Sequence, residues 1–423
     1  MTGLNLNQAC CYMIFLLCTM AFAQHITVAD FKIQGNKKIK TGFIKKMASI
    51  KSGGVLDSLS MEEDIKLLKR LPSISHAYYQ VFPSEEENTY NVFYNIEENF
   101  TLIPSVNFYT TDDDEFAYRL GLYEFNALGR NIIVGGFYQK DIYDSYAINL
   151  RAPFLFSKHL GLALNHQNLT TQEPVFFNNE TAQYRYNNKS HEMLGLYQFN
   201  FHNRLELGVN YFTEDYRFKG ENTNNRPELN VDKWLAKGIY EFNNLDYSYQ
   251  YVSGFRNVLN FQYVTSTNDM LPDFFIGWND FFYFKRLGDK GNWANRLRVG
   301  LSTNDETPFA PFSVDNNLNV RGVGNTIDRG TGVIVLNTEY RYTLYEKKWF
   351  VLQGNMFVDA GTWRNPGGDF GDFGKSDNVK IYPGIGLRLM HKHIYNAIFR
   401  IDYGYGITEN ATKGLVFGIG QYF

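Results

Sequence analysis

The chain has 423 residues, a formal net charge of -3 and a pI near 6.3, so its charge gives no reason to expect nucleic acid as a partner. Aromatic residues make up 17% of the chain, with 30 Tyr and 36 Phe, which is more than an ordinary core requires. Such an excess is typical of proteins that place aromatic rings at a membrane–water boundary.

An apolar run at residues 9–22 ends in Ala21-Phe22-Ala23, directly ahead of Gln24. A small residue on each side of the last apolar position predicts a secretory signal over residues 1–23, cleaved before Gln24. All three cysteines, at positions 10, 11 and 18, fall inside it, so we expect a mature chain without thiols or disulfides. The alternative is lipid attachment at Cys18. The bulky Leu17 argues against it, because lipoprotein sites have a small residue at that position. Beyond the signal no apolar run reaches about 18 residues, so we expect any membrane crossing to use strands.

Residues 24–99 have the pattern of a small α+β domain in the order strand, helix, helix, strand, strand. The strands are predicted over residues 26–33, 74–82 and 90–97, and the helices over residues 43–50 and 60–71. Ser60-Met61-Glu62-Glu63 predicts a capping box at the start of the second helix.

This order of elements, with Phe31-Lys32-Ile33-Gln34-Gly35-Asn36 closing the first strand, resembles a POTRA domain, the periplasmic module of outer-membrane assembly and secretion barrels. An exposed strand of such a sheet can accept an extended client segment as an additional strand. Which strand offers that edge stays open. The alternative is a small stable domain with no partner.

Residues 100–423 alternate apolar with polar or small side chains in segments of about ten residues, as membrane strands do. In the last segment, one face carries Leu415, Phe417, Ile419 and Phe423 and the other Gly418, Gly420 and Tyr422. The same alternation places Arg388, Arg400 and Asp402 on the inward face. A soluble sandwich alternates too, but its core could not hold so many bulky residues on one face.

Counting segments predicts roughly sixteen antiparallel strands, an even number as expected for a closed bacterial barrel. Tight connections alternate with long ones around Asn178, Asn224, Asn316 and Gly368. Short turns on the periplasmic side and long loops on the outer side produce this pattern. We therefore predict an all-β membrane barrel preceded by the small α+β domain.

A cationic loop tip, Val320-Arg321-Gly322-Val323-Gly324-Asn325, interrupts the strands in a loop long enough to be functional. Asp359 lies on the polar side of a later strand. Because a charge in low-dielectric surroundings needs a partner, we predict that the loop folds back inside the barrel with Arg321 near Asp359.

The chain resembles the BamA-like superfamily of outer-membrane assembly and translocation barrels. The motifs that carry the resemblance are Val320-Arg321-Gly322, Asn337-Thr338-Glu339-Tyr340-Arg341-Tyr342, Phe357-Val358-Asp359-Ala360-Gly361 and Gln421-Tyr422-Phe423. The resemblance implies that Arg321 and Gly322 lie in the lumen against Asp359 and Glu339, and that Tyr422 and Phe423 form the C-terminal barrel signal. Two departures are Val323, where an aromatic residue is usual, and the single POTRA module.

The seam of the predicted barrel joins two weak strands. Pro104 in the first strand cannot donate to a ladder, and Gly414, Gly418 and Gly420 near the end supply little packing. We predict a lateral gate here, at which a client strand pairs with the exposed edge. The alternative is that the glycines only make room for the loop carrying Arg321.

No motif for a nucleophile or phosphate cradle is present, and we expect no enzyme activity, no cofactor and no metal. His391 and His393 lie near a turn, and Asp112-Asp113-Asp114-Glu115 is predicted to be a solvated turn. By resemblance the protein inserts or translocates unfolded client proteins in the bacterial outer membrane, with its N-terminal domain in the periplasm. Its expected partners are the lipid bilayer and the clients, with accessory subunits left open. The alternatives are a two-partner-type pore that exports a soluble protein and a structural barrel subunit.

Overall fold

A computed structural model describes residues 26–110, 116–177, 180–220, 228–268, 271–304, 310–314, 319–323, 328–409 and 411–423. The predicted signal, the acidic turn at residues 112–115 and the connections around Asn224 and Asn316 lie outside the described residues. Gly324 and Asn325 of the loop tip also lie outside them.

The N-terminal domain contains a three-stranded sheet and two helices, in the predicted order. Its elements are β1 (Thr27–Gln34), α1 (Thr41–Met47), α2 (Ser58–Lys69), β2 (Ile74–Pro83) and β3 (Thr89–Glu98). β3 is central, parallel to β1 and antiparallel to β2. Phe31, Ile44, Leu68 and Tyr94 are among the residues of one apolar core between the sheet and the helices.

The predicted capping box at Ser60 is wrong, because Asp57 is the N-cap of α2. The Asp57 carboxylate accepts hydrogen bonds from the Leu59 backbone N–H and from the Ser60 hydroxyl. An Asp at this position combines a good acceptor with negative charge at the positive end of the helix, which explains why the helix starts earlier.

The sheet has one occupied edge and one open edge. The backbone of the segment before α2 covers β1, since the Val28 N–H donates to the Gly54 carbonyl and the Gly53 N–H donates to the Val28 carbonyl. The outer edge of β2 has no strand partner in the part of the chain that the structure describes. Tyr78 and Phe82 on β2 are exposed. β2 is therefore the open edge of this sheet in the described residues.

The C-terminal part is a sheet of sixteen strands in which every neighbouring pair is antiparallel, which confirms the predicted barrel. The strands are β4 (Leu102–Thr110), β5 (Phe116–Ala127), β6 (Ile132–Lys140), β7 (Asp144–Ala152), β8 (Leu160–Phe177), β9 (Glu180–Gln198), β10 (Asn203–Phe218), β11 (Leu229–Ser248), β12 (Tyr251–Ser266), β13 (Phe274–Leu287), β14 (Gly291–Ser302), β17 (Gly332–Glu346), β18 (Phe350–Arg364), β19 (Val379–His391), β20 (Ile398–Tyr405) and β21 (Lys413–Ile419). A short hairpin, β15 (Phe312–Val314) and β16 (Asp328–Gly330), lies within the connection from β14 to β17. Two short 3₁₀ turns, Phe370–Gly374 and Ser376–Asn378, lie between β18 and β19.

Alternation along the strands separates an apolar outer face from a polar interior. Exposed outer residues include Leu122, Ile148, Met193, Leu207, Phe261, Leu336, Met356, Ile385, Phe399 and Phe417. Buried inward residues include Glu206, Glu241, Arg296, Glu339, Arg341, Arg388 and Asp402. The outer face has the composition that lipid contact requires. Neither helix in the described residues is long and apolar enough to cross a membrane.

The barrel wall is tall on one side and low at the seam. β8 and β9 have 18 and 19 residues, whereas β4 and β21 have 9 and 7. The long connection predicted around Asn178 is wrong, because β8 continues to Phe177 and β9 starts at Glu180. Residues that alternate as a strand and pair across the hairpin extend the ladder instead of forming a loop.

The N-terminal domain packs against the barrel turns that face it. The Arg70 guanidinium donates to the carbonyl oxygens of Leu245 (2.8 Å from Nη2) and Phe201 (3.1 Å from Nη1). The Tyr249 hydroxyl donates to Glu97 at 2.9 Å, and the Tyr249 ring stacks on His76 with centroids 4.9 Å apart. These contacts hold the domain across one mouth of the barrel.

Lowering the pH should loosen this docking through His76. Burial lowers the pKa of His76, and Lys69 adds to this effect, whereas Glu97 and Asp246 oppose it. The stability that the neutral ring contributes is present above the ordinary pKa of about 6.5 and is lost as pH falls through the lowered value. Spin labels at the exposed residues Glu62 and Lys347 should report a broader distance distribution at low pH. His76→Gln should reduce that pH dependence; an unchanged dependence would rule out His76 as its source.

Candidate functional site at the lumen loop and the seam

The connection from β14 to β17 enters the barrel and is held there by apolar contacts. Val320 and Val323 are buried and belong to one cluster with Val314, Val333 and Val335. The β15–β16 hairpin supplies Val314, so the loop carries part of its own support. Val323 therefore makes an apolar packing contact at the position where the resemblance leads one to expect an aromatic residue.

Arg321 is fully buried and lies between two acidic residues of the barrel wall. Its Nε and Nη2 atoms donate to the two carboxylate oxygens of Asp359, at 2.7 and 3.0 Å, and its backbone N–H donates to the same group at 3.0 Å. Its Nη1 atom donates to Glu339 at 2.8 Å. The structure thus brings together Arg321, Asp359 and Glu339 with a two-pronged guanidinium–carboxylate geometry, the strong form of such a pair.

The Arg321 pair belongs to a larger buried network of four arginines and three acids. Arg388 donates to Glu339 at 2.7 Å, and Arg341 also donates to Glu339. Asp402 lies 3.6 Å from Arg321 Nη1 and accepts a hydrogen bond from Arg400 at 3.0 Å. Strands β17 to β20 each contribute a charged group, so the loop tip connects four consecutive strands next to the seam.

Two aromatic rings flank the Arg321 guanidinium. Its central carbon lies 3.6 Å from the Phe357 ring centroid and 4.5 Å from that of Tyr422. A guanidinium stacked on aromatic faces in a desolvated site gains about 2 kcal/mol or more from cation–π attraction. Tyr422, which follows β21, therefore connects the loop tip to the segment after the last strand.

Close backbone approach around Gly322 requires glycines on both sides. Gly322 has φ +99° and a Cβ added there would lie 2.8 Å from Gly404 Cα, while a Cβ on Gly404 would lie 2.3 Å from the Arg321 carbonyl oxygen. Gly414 faces the Gly322 carbonyl oxygen at 3.5 Å from its Cβ position, and the Thr412 hydroxyl donates to that oxygen at 3.2 Å. The loop tip thus rests directly on β20 and on the start of β21.

Gly404→Ala should displace the loop tip, because the new methyl group meets backbone atoms that cannot rotate away. We expect protease cleavage within residues 303–331 in the folded barrel. Gly195→Ala is the matched control, since a Cβ there would make only an ordinary contact at 3.7 Å. Resistance of the Gly404→Ala loop to protease, equal to that of the control, would contradict the close-packed interface.

The first and last strands are the two ends of the sixteen-stranded sheet, and no ladder joins β4 to β21 in the described part of the chain. Instead, Phe100, just ahead of β4, pairs with the connection between β19 and β20. Its N–H donates to the His393 carbonyl at 2.8 Å, and its carbonyl accepts from the Tyr395 N–H at 3.1 Å. Pro104 lies in β4, and Gly414 and Gly418 lie in β21. The seam predicted from these residues lies at the two open edges.

The prediction that Phe423 shares the outer face with Leu415 and Phe417 is wrong. β21 ends at Ile419, and Gly420 has φ +89°, a left-handed conformation that turns the chain inward. Tyr422 is 5% exposed and Phe423 packs against the inward cluster of Leu245, Phe284 and Ala294. Gly420 accordingly acts as a turn residue after the strand, not as part of it.

Tyr422, Gly404 and Arg388 are site residues whose roles in the loop contact were not predicted. Strand alternation predicted that Arg388 faces the lumen. It did not identify Glu339 as the partner of Arg388. The contacts of Tyr422 depend on the turn at Gly420. A glycine in the sequence does not by itself predict that turn. In the described residues no group of three or more His, Cys, Asp or Glu side chains could hold a metal ion, and the His391 and His393 rings lie 6.3 Å apart.

Comparison with known proteins supports the same architecture. The family model POTRA, described as surface antigen variable number repeat, matches residues 26–99. Among solved structures, BamA from Haemophilus ducreyi lacking POTRA domains 1-3 is similar with a TM-score of 0.55 and 15% identity, covering 93% of this chain and 83% of that one. No curated protein sequence matches the chain.

Two CdiB structures have a similar fold. CdiB from Acinetobacter baumannii has a TM-score of 0.60 at 14% identity over 94% of this chain and 74% of its own. CdiB from Escherichia coli has a TM-score of 0.63 at 12% identity over 93% and 75%. At these identities the likeness is one of fold, and BamA and CdiB both fit it.

Proposed function

Because the chain joins a POTRA domain to a barrel of the BamA-like superfamily fold, we propose that it inserts client proteins into the bacterial outer membrane through its seam. The client is an unfolded protein that presents β-strand segments, and the POTRA domain lies in the periplasm. The proposed function involves folding and partitioning of the client, without bond chemistry in the protein.

The observation that carries this proposal is the pair of unjoined strands at the seam. β4 and β21 end the sheet, and Pro104 cannot donate to a partner from β4. An unpaired edge exposes backbone N–H and C=O groups, which pair readily with an incoming strand and are costly to leave unpaired in lipid. A client strand that enters the seam gains these hydrogen bonds and reaches the bilayer at once.

Strand length supports insertion at the same place. β20 and β21 have 8 and 7 residues, whereas β11 has 20. A short apolar wall is accommodated by local thinning of the bilayer, which lowers the barrier for a new segment to enter there.

The open edge of β2 supports a first step in the POTRA domain. β2 carries the exposed rings of Tyr78 and Phe82, and Phe82 contacts Phe93 on β3 with centroids 5.8 Å apart. An extended segment can add to β2 through main-chain hydrogen bonds, with apolar side chains over these rings. The domain would hold the client in the extended form that the seam requires.

Depletion of the protein followed by quantitative outer-membrane proteomics tests the function. Insertion predicts that a group of barrel proteins falls in the outer membrane while their unfolded forms accumulate in the periplasm. Loss of one soluble protein from the medium, with unchanged barrel proteins, would favour an export pore instead. No change in either fraction would favour a structural subunit and would refute the proposal.

A further inference from the structure

A polar chamber lies between the POTRA domain and the lumen wall, and no described residue of the loop tip lines it. It has a volume of about 330 Å³ and is lined by Arg70 of the POTRA domain and by Arg151, Arg204, Glu241 and Arg256 of the barrel. Leu67 and Leu71 of the POTRA domain and Phe154, Leu196 and Phe201 of the barrel supply an apolar part of the lining. We call this cavity the arginine chamber.

The barrel arginines of the chamber form a row linked by two glutamates. Arg151 donates to Glu206 at 3.1 Å, and Arg204 contacts Glu206 at 3.1 Å and also pairs with Glu241. Arg256 donates to Glu241 at 2.6 Å. Together with Arg70 of the POTRA domain, the group has four cationic side chains and two anionic ones, Glu206 and Glu241. Arg70 itself is held by carbonyl oxygens and not by an acid.

The arginine side chains of the chamber are more accessible than the acidic ones. About a third of each arginine side chain stays accessible, 28% for Arg151, 31% for Arg204 and 34% for Arg256. The Glu206 and Glu241 side chains are only 5% and 6% accessible behind them. Guanidinium N–H groups in excess of local acids, in a partly enclosed space, attract planar oxyanions.

From this arrangement we propose that the arginine chamber binds an acidic and partly apolar peptide segment of the client. This rests on the proposed function, and it specifies the chemistry of the client segment at the periplasmic mouth. Carboxylates of the segment would accept from the guanidinium groups, and apolar side chains would contact Phe154, Leu196 and Phe201.

The position of the chamber favours a peptide over a lipid headgroup. Arg151 and Glu206 point inward, whereas Ile148 and Leu207 on the same strands are exposed on the outer face. The strand wall thus separates the chamber from the bilayer. Leu67 of α2 and Arg70, which caps the C-terminal end of that helix, line the chamber, so a segment carried by the POTRA domain is adjacent to it.

Fluorescence anisotropy with the full chain in detergent micelles tests the site, with empty micelles as the blank. The probes are a labelled short peptide that alternates Glu with Leu and its counterpart with Gln in place of Glu. Arg151→Gln/Arg256→Gln is the informative variant, because Glu206 and Glu241 each keep their ion pair with Arg204 and neither is left as an unpaired charge. We expect the Glu peptide to bind about tenfold more weakly for each arginine removed, since a charge-assisted hydrogen bond is lost each time.

Matched variants separate binding from folding. Arg217→Gln removes an arginine that is 54% exposed outside the chamber and should leave binding unchanged. Arg151→Lys/Arg256→Lys keeps the charge and should retain most of the affinity, which a purely structural loss would not allow. Raised salt should weaken the Glu peptide only.

Three results would overturn the site as proposed. The first is equal binding of the Glu and Gln peptides, and the second is unchanged affinity in the double Gln variant. The third is displacement of the peptide by soluble dihexanoyl phosphatidylglycerol at a concentration lower than the one at which the peptide binds. The last result would assign the site to a lipid phosphate. Failure of the proposed function is a separate outcome, because depletion can leave outer-membrane proteins unchanged while purified protein still binds the acidic peptide.

Discussion

A disulfide across the seam should abolish client insertion, and reduction should restore it. The test places one cysteine at Leu102, Pro104 or Val106 of β4 and one at Leu415, Phe417 or Ile419 of β21, and uses the pair that crosslinks on oxidation. The native cysteines lie at positions 10, 11 and 18, ahead of the predicted cleavage site, so the engineered pair is the intended reactive one. A covalent bond across the two edges removes the place at which a client strand would pair. Insertion of a radiolabelled barrel client into proteoliposomes is the measurement.

The control disulfide joins two strands within the regular ladder. Leu164 and Met193 are register partners on β8 and β9, and both are exposed on the outer face. Leu164→Cys/Met193→Cys should oxidise without any effect on insertion. Full insertion activity with the seam locked would exclude lateral gating and would favour passage through the lumen.

The fold could be predicted because period-two alternation is repeated along every barrel strand. One face of β17, with Leu336, Tyr340 and Tyr342, is exposed, and the other, with Asn337, Glu339 and Arg341, is buried, which is the alternation predicted in general for residues 100–423. The POTRA domain likewise follows from its order of elements. A single residue such as Arg321 could be assigned to the interior because a buried guanidinium requires acids, and the later strands supplied them.

Other features depend on contacts between distant parts of the chain, which alternation does not encode. The docking of Arg70 on Leu245 and Phe201 joins two domains, and neither partner is marked in the sequence. Gly420 could equally have continued β21 and kept Phe423 on the outer face, but its positive φ turns the chain and places Phe423 in the interior. The arginine chamber was not predicted because its charged residues lie on β7, β10, β11 and β12 and at the C-terminal cap of α2, positions that are far apart in the sequence.

The inward turn changes how the seam glycines are understood. Gly404 and Gly414 lie against Gly322, and a Cβ on Gly418 would lie 2.5 Å from the Arg400 guanidinium. Gly414 thus lies in the last strand and also leaves space for the loop tip, whereas Gly418 leaves space for Arg400. The loop tip contacts β20, the start of β21 and Tyr422, so a movement of Arg321 would be transmitted to the seam.

Arg321→Ala should release the loop and stop client insertion. Removal of the guanidinium leaves Asp359 with the backbone N–H of residue 321 and the Asn337 side chain as donors. Breaking a buried ion pair from one side costs about 3 to 5 kcal/mol, which is enough to displace a loop held mainly by this contact and by small apolar residues. We expect cleavage within residues 303–331 by added protease, measured on the folded barrel, together with loss of insertion. Arg321→Lys keeps the charge but not the two-pronged contact with Asp359, so its effect should be intermediate.

The matched control is Arg217→Ala, which removes a 54% exposed arginine that contacts Asp215 at 3.0 Å and should change neither protease resistance nor insertion. Exchanging the two charges, as Arg321→Asp with Asp359→Arg, should restore part of the protease resistance, because the pair re-forms with altered geometry. A coupling energy near zero between Arg321→Ala and Asp359→Ala would show that the two side chains act independently. Together with wild-type insertion by Arg321→Ala, that result would refute the role of the lumen loop, because the seam would then work without its anchor.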